Sequence, residues 1–210
     1  MLTLERTAAV SMEVGCDGCT DFSGPLFIQL SAGKYGECSV LELPASVQEW
    51  RDEHRTARKR ASRAERLGHR FSQIAREDYT DDIYAINTSL DIRQGRQMTD
   101  AYKVSVRFAP LPHYTCDRHA VRAYGVLKEE RLVAYLWLYR SGELALVSSI
   151  LGHGGYLRDD IMYLLMKGVI DAEAPHGGFL VYNRHDSGTD GLRYYKDRCG
   201  FKETAVEWLP

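Results

Sequence analysis

No apolar run in this chain approaches the ~18–20 residues that a bilayer-spanning helix needs. Met1-Leu2-Thr3-Leu4-Glu5-Arg6 is not a charged stretch followed by an apolar one, so neither a membrane span nor a signal peptide is expected. A surplus of one charge is missing too: 27 Lys and Arg face 29 Asp and Glu, a formal net charge of −2. That excludes a global pull toward nucleic acid or anionic lipid and leaves only local patches to supply one. The five cysteines, Cys16, Cys19, Cys38, Cys116 and Cys199, are odd in number and scattered. They read as thiols in a reducing cytoplasm rather than as a disulfide framework. There is no internal repeat and no low-complexity linker. What remains is 210 residues, 44% hydrophobic and 27% charged, enough for one well-buried core.

Two short apolar alternations, Leu26–Leu30 and Ser39–Leu43, flank a loop around Gly33-Lys34-Tyr35-Gly36. They predict a β-hairpin inside an N-terminal β-rich extension, residues 1–45. Residues 46–210 then form the main domain. Ser46 stands three residues before Glu49, a capping box, and Gly68 supplies a stop, so one helix is expected over 46–67. At ~100° per residue Val47, Trp50, His54, Ala57, Ala61 and Ala64 gather on one face, with the basic residues opposite. A second helix is expected from Asp81 to about Gln94, with Thr80 as cap, Ile83, Ile86 and Leu90 as its buried stripe and Gly95 as its end.

Strands follow. Alternation marks 104–108, 121–127, 132–139 and 143–150, the last two joined by a turn at Ser141-Gly142. Residues 157–174 are apolar around most of a helix circumference, which predicts a deeply buried helix. Phe179–Tyr182 reads as a strand, Asp190 to about Cys199 as a helix stopped by Gly200, and Phe201–Trp208 as a closing strand.

This order resembles the GNAT acyltransferase superfamily over roughly residues 80–208. The resemblance implies a mixed α+β fold, with a central, mostly antiparallel sheet flanked by helices. Two local features carry it. The first is the strand-to-helix junction Ser148-Ser149-Ile150-Leu151-Gly152-His153-Gly154-Gly155-Tyr156. Its place implies a loop whose backbone N–H groups hold the pyrophosphate of a coenzyme A thioester, through Ile150, Leu151, Gly152, Gly154 and Gly155, because unpaired amides near a helix N-terminus favour an anion. The sequence departs from the family pattern by following this loop with Arg158, Asp159 and Asp160, two carboxylates that compete with phosphate. The second feature is Tyr194-Tyr195-Lys196-Asp197-Arg198-Cys199-Gly200-Phe201, similar to the closing motif of FemAB-like transferases, which take an aminoacyl group from aminoacyl-tRNA. The resemblance thus implies an acyl or aminoacyl transfer to an amine, with coenzyme A thioester or aminoacyl-tRNA as donor. It also makes Tyr195 a candidate general acid and Asn183 a cofactor-facing residue.

His153, in the loop, and His185, beyond the strand Phe179–Tyr182, are candidate proton shuttles near neutral pH. The span Arg51–Arg66 holds seven basic residues against three acidic ones. Arg51, Arg55, Arg58 and Lys59, extended by Arg93 and Arg96, form a candidate face for a nucleic-acid or other acceptor, tRNA included. The alternatives are a solvated helix face, a nucleic-acid-binding protein without catalysis, and a nucleic-acid-modifying transferase. Cys16-Asp17-Gly18-Cys19 has one zinc-knuckle spacing but lacks the second, so no metal is expected.

Overall fold

The computed structural model describes residues 37–205 apart from 112, 115, 117 and 185–187. The partner expected for an N-terminal hairpin, Leu26–Leu30, and the Cys16/Cys19 knuckle lie outside that range. So do His185 and the end of the closing strand.

Ser46 caps its helix as its spacing requires, the Oγ accepting from the Glu49 N–H at 3.4 Å. The expected single helix is two: α1 (Val47–Glu53) and α2 (Arg55–Arg66), broken at His54, whose φ of −100° and ψ of 52° are not helical. Tertiary docking accounts for the break. Trp50 Nε1 donates to the Cys199 carbonyl at 3.0 Å, and a Cβ on Gly200 would meet the His54 ring at 2.5 Å. α1 is therefore pinned to the far end of the chain while α2 swings away. Ala57, Ala61 and Ala64 are fully buried on α2, small enough to let the long apolar helix α4 (Ile161–Glu173) approach closely.

A seven-stranded sheet runs in the order β2-β5-β6-β7-β8-β1-β9. Its strands are β1 (Glu37–Glu42), β2 (His69–Gln73), β5 (His119–Lys128), β6 (Arg131–Ser141), β7 (Leu144–Gly152), β8 (Phe179–Arg184) and β9 (Lys202–Ala205). All neighbours pair antiparallel except β7 and β8. β1 sits between β8 and β9, so residues 37–42 are part of this sheet. Alternation along β6 divides the core in two. Ala134, Leu136 and Leu138 face α2 and α4, whereas Tyr135 and Trp137 face α3 (Thr80–Thr88) with Ile83 and Ile86.

Three further expectations are corrected. The helix from Asp81 to Gln94 ends at Thr88, and Thr80 is its first residue rather than its cap. Gly95 closes instead a two-residue turn between β3 (Ile92–Arg93) and β4 (Arg96–Gln97). Gln94 and Gly95 both have positive φ there, 50° and 74°, which a tight hairpin demands. Residues 104–108 are irregular, because β2, which local periodicity does not reveal, already takes the edge of β5. The buried helix begins at Ile161, not 157: a 3-10 stretch, Gly154–Asp159, precedes it, and Asp160 stands between with φ 64°.

A buried ionic cluster ties the sheet to the end of α4. Glu173, fully buried, accepts from Arg122 at 2.9 Å, from Arg140 Nε at 3.1 Å and from the Tyr124 hydroxyl at 2.6 Å. With two cations and a phenol on one carboxylate, the desolvation cost of the charge is offset by direct bonds. Among the described residues no helix is long and apolar enough to cross a membrane, and no group of three His, Cys, Asp or Glu gathers as metal ligands do.

Candidate active site

The sheet opens between β7 and β8. Their parallel pairing covers Leu144–Phe179, Ala145–Leu180 and Leu146–Val181 and stops there, although β7 runs on to Gly152 and β8 to Arg184. The cause lies on the other edge of β7. Opposite β6 the register shifts between Trp137 and Leu138, which pair with Ser149 and Val147, leaving Ser148 as an extra residue. Its hydroxyl donates back to the Trp137 carbonyl at 3.3 Å. Such a bulge bends and twists its strand, here turning β7 away from β8.

The gap is a cleft of about 690 Å3. Its walls are Val147–Gly152 of β7, Tyr182 of β8, Met162 and Tyr163 of α4, and Leu192 and Tyr195 of α5 (Asp190–Arg198), with Leu90, Ile92 and Arg93 across the mouth. Tyr195 is buried, and its hydroxyl donates to the Met162 carbonyl at 2.9 Å. Tyr163 meets it edge-on at 4.9 Å. Burial holds the Tyr195 phenol well above the usual tyrosine value, and the neighbouring Cys199 and tyrosines reinforce it. Burial pushes Tyr163 up to about 12. Both phenols are therefore neutral at physiological pH. Lys196, fully buried, places its ammonium 4.9 Å from the centre of the Tyr182 ring.

The turn that follows β7 is closed rather than open. The His153 N–H donates to Val133 O at 2.8 Å, Gly154 N–H to Ser89 Oγ at 2.9 Å, Gly155 N–H to His153 Nδ1 at 3.1 Å and Tyr156 N–H to His153 O at 3.0 Å. A Cβ on Gly154 would lie 2.6 Å from Leu90, so the glycine there serves close packing. Arg93 locks the same turn, donating to Gly152 O at 2.8 Å, Ile86 O at 2.6 Å and Ser89 Oγ at 2.9 Å. The start of α4 carries a carboxylate that makes no capping bond to the helix amides. Asp160 precedes its first turn and shares its carboxylate between Arg60 at 3.3 Å and Arg63 at 3.0 Å, while Asp159 binds His69 at 3.0 Å. A coenzyme A pyrophosphate does not fit this arrangement: the amides of residues 153–156 are spent, and the Asp160 carboxylate stands beside the helix end, where it repels an anion.

The cleft brings together Tyr195, Ile150, Leu151, Gly152 and Arg93 of the residues singled out from sequence. Gly154 and Gly155 lie in the closed turn, and His153 caps it. Burial, then the charges of Arg93 and Arg131, lower the pKa of His153. Asn183 is on β8 beyond the parallel pairing. Arg51 binds Asp171 at 2.7 Å, Arg58 binds Asp52 at 3.1 Å and Arg55 donates to the Asp52 carbonyl at 3.3 Å. Lys59 is exposed on α2, and Arg96 is exposed on β4. The residues that sequence did not single out are Ser89, Arg60, Arg63, Tyr163, Tyr182 and Met162. Their partners are distant in the chain, so no local pattern announces them.

No protein-family model matches the chain, and no curated protein matches it by sequence. Solved structures resemble it in fold. The C-terminal DUF2156 domain of a protein assigned as a lysylphosphatidylglycerol synthetase from Agrobacterium fabrum superposes with a TM-score of 0.53 at 14% identity, over 86% of this chain and 63% of that one. L-PGS from Bacillus licheniformis gives 0.50 at 15% identity, over 80% and 58%. A GCN5-related N-acetyltransferase from Kribbella flavida gives 0.45 at 12%, over 87% and 61%. The chain thus spans less than two thirds of the length of each. Its mixed α/β architecture, with a mostly antiparallel sheet flanked by helices, is a GNAT-like fold.

Proposed function

We propose that this protein transfers an acyl or aminoacyl group to an amine inside the β7–β8 cleft, and that its donor is an ester of the aminoacyl-tRNA kind rather than a coenzyme A thioester. The observation that carries the transfer is the parting of β7 from β8 after Leu146, which leaves main-chain groups of Val147–Gly152 lining a deep gap beside a neutral phenol. The amine nitrogen attacks the ester carbonyl, a C–N bond forms, and the negative oxygen that develops is met by β7 backbone N–H donors. The C–O bond then breaks. Tyr195 gives its proton to the departing alkoxide and recovers one from the ammonium formed in the attack. The internally bonded turn and Asp160 support the choice of donor. Two lysylphosphatidylglycerol-type neighbours in fold favour the same direction. The exposed Lys59 and Arg66 belong to α2, whose Arg60 lines the cleft, and suit a phosphate backbone.

The test is turnover. The protein is incubated with acetyl-coenzyme A or with charged tRNA and a panel of primary amines, and products are read by mass spectrometry. Amide formation from charged tRNA is expected. Acylation from coenzyme A alone would overturn the choice of donor, and no amide from any donor would overturn the transfer itself.

A further inference from the structure

A second, smaller cavity of about 180 Å3 opens on the α3 face of the sheet beside the cleft, with Ser149 and Tyr102 lining both. Five of its twelve lining residues carry aromatic rings. Tyr135 and Trp137 project from β6 and stack at 4.4 Å with planes 17° apart, and Phe108 meets Trp137 edge-on at 6.2 Å. Tyr84 and Val106 stand at the rim, 39% and 48% exposed. No lining residue is charged. The Tyr135 hydroxyl is already satisfied, donating to Asn87 Oδ1 at 2.7 Å. Arg76 stands 5.2 Å from the centre of the Phe108 ring, while Arg93 and Asp160 line the adjoining cleft.

Resting on the transfer reading, the geometry points to an uncharged aromatic ring on the substrate as the occupant of this cavity. The space is smaller than the ~300 Å3 at which pockets for whole small molecules begin, so it takes one side group while the reacting atoms stay in the cleft. Ring walls reward a ring by offset and edge contacts. A terminal ammonium finds no carboxylate in the lining, one face of Trp137 is covered by Tyr135, and the Arg76 guanidinium already stands over Phe108, so a long cationic side chain is disfavoured. The ring belongs to the amine acceptor or to the acyl group, and the two sources are separable by probe.

The whole chain is titrated with phenethylamine (ring and amine), 3-phenylpropanamide (ring and acyl) and putrescine (two ammonium groups, no ring), following the Trp137 indole and Ser149 amide signals by NMR. A ring probe is expected to bind about tenfold more tightly than putrescine and to shift the Trp137 signal. Tighter binding of phenethylamine puts the ring on the acceptor, and tighter binding of 3-phenylpropanamide puts it on the acyl group; either supports an aromatic occupant. At the exposed rim, Val106→Trp is expected to close the mouth and weaken ring binding, and Val106→Glu to shift preference toward putrescine. Putrescine binding as tightly as the ring probes, ring binding that leaves Trp137 unmoved, or ring binding untouched by Val106→Trp would overturn the inference. Because the readout is binding, ring probes held by a chain that transfers nothing would sink the transfer reading alone. Turnover of amines and acyl groups with no ring effect would sink this inference alone.

Discussion

The Ser89 hydroxyl oxygen lies 2.9 Å from the Gly154 amide nitrogen, joining the end of α3 to the turn after β7. The same oxygen accepts from Arg93 and donates to Ile86 O at 2.7 Å, so one side chain settles three backbone or guanidinium groups. Ser89→Ala leaves the Gly154 N–H without its partner in a part-buried site. A loss of about 1–3 kcal/mol is expected, read from the urea midpoint. An unchanged midpoint would mean that the turn is held by Arg93 alone.

Asp160 makes the stronger claim about the donor. Both Asn and Gly tolerate the positive φ of 64° found there, so Asp160→Asn and Asp160→Gly should fold. Each removes the carboxylate that Arg60 and Arg63 now hold, leaving two guanidinium groups beside the first turn of a 13-residue helix. Inorganic pyrophosphate should then bind in a salt-dependent way by calorimetry, while the wild-type chain shows no binding at millimolar concentration. Coenzyme A that raises the melting temperature of the wild-type protein would contradict the closed-turn argument.

How much of this was legible in the sequence follows from the distance over which each signal acts. The Ser46–Glu49 cap, the alternation of β6 and β7, the apolar girth of α4 and the glycine after α5 are local patterns, and each marks an element that the chain forms. That Tyr195 belongs to a helix ended by Gly200 was legible for the same reason, and the structure places it in the cleft wall. The Ser89–Gly154, Arg63–Asp160 and Arg122–Glu173 contacts join residues 65, 97 and 51 positions apart, and nothing in the intervening chain encodes them. Gln94-Gly95 shows the remaining ambiguity: a glycine after an apolar run marks a helix end or a hairpin equally well, and only the paired positive φ values decide.

Glu173→Gln tests the ionic cluster. The substitution preserves shape but leaves Arg122 and the fully buried Arg140 facing a neutral amide. Breaking a buried pair by removing one partner costs about 3–5 kcal/mol, so a large fall in the urea midpoint is expected. The effect should be on stability, since the cluster lies at the end of α4 remote from Tyr195, and residual folded protein should keep its substrate affinity.

Alkaline pH offers a test with a defined sign. Burial raises the phenols of Tyr124, Tyr135, Tyr182 and Tyr195 above the ordinary value of 10.0, and it raises the Cys199 thiol above 9.0. Folded values above unfolded ones mean that the stabilisation is complete below the unfolded pKa and is lost as pH rises past it. Stability should therefore be flat near neutrality, begin to fall as the unfolded thiol titrates near 9.0, and drop steeply above 10.0. The slope is about 1.4 kcal/mol per pH unit for each phenol that stays protonated only in the folded state. Denaturant titrations at pH 8, 10 and 11 measure it, and a slope of zero above 10 would mean that these hydroxyls are reached by solvent.

Tyr195→Phe separates chemistry from packing in the proposed reaction. The ring and its edge contact with Tyr163 survive, and what is lost is the hydroxyl and its bond to the Met162 carbonyl. Stability should fall by only about 1 kcal/mol. Turnover should fall by about 100-fold or more, because the departing alkoxide then has no positioned acid. KM should change little, since the phenol acts on the leaving oxygen late in the reaction and not on the bound ester. The pH profile adds a check that packing alone could not mimic. A phenol held well above 10 imposes no alkaline limb on the rate below that pH, so any limb seen in the neutral range belongs to the amine acceptor and must move when the acceptor's own pKa is changed. A Tyr195→Phe enzyme with full turnover would take the proton donor away from α5 and leave the backbone of β7 as the whole of the catalytic apparatus.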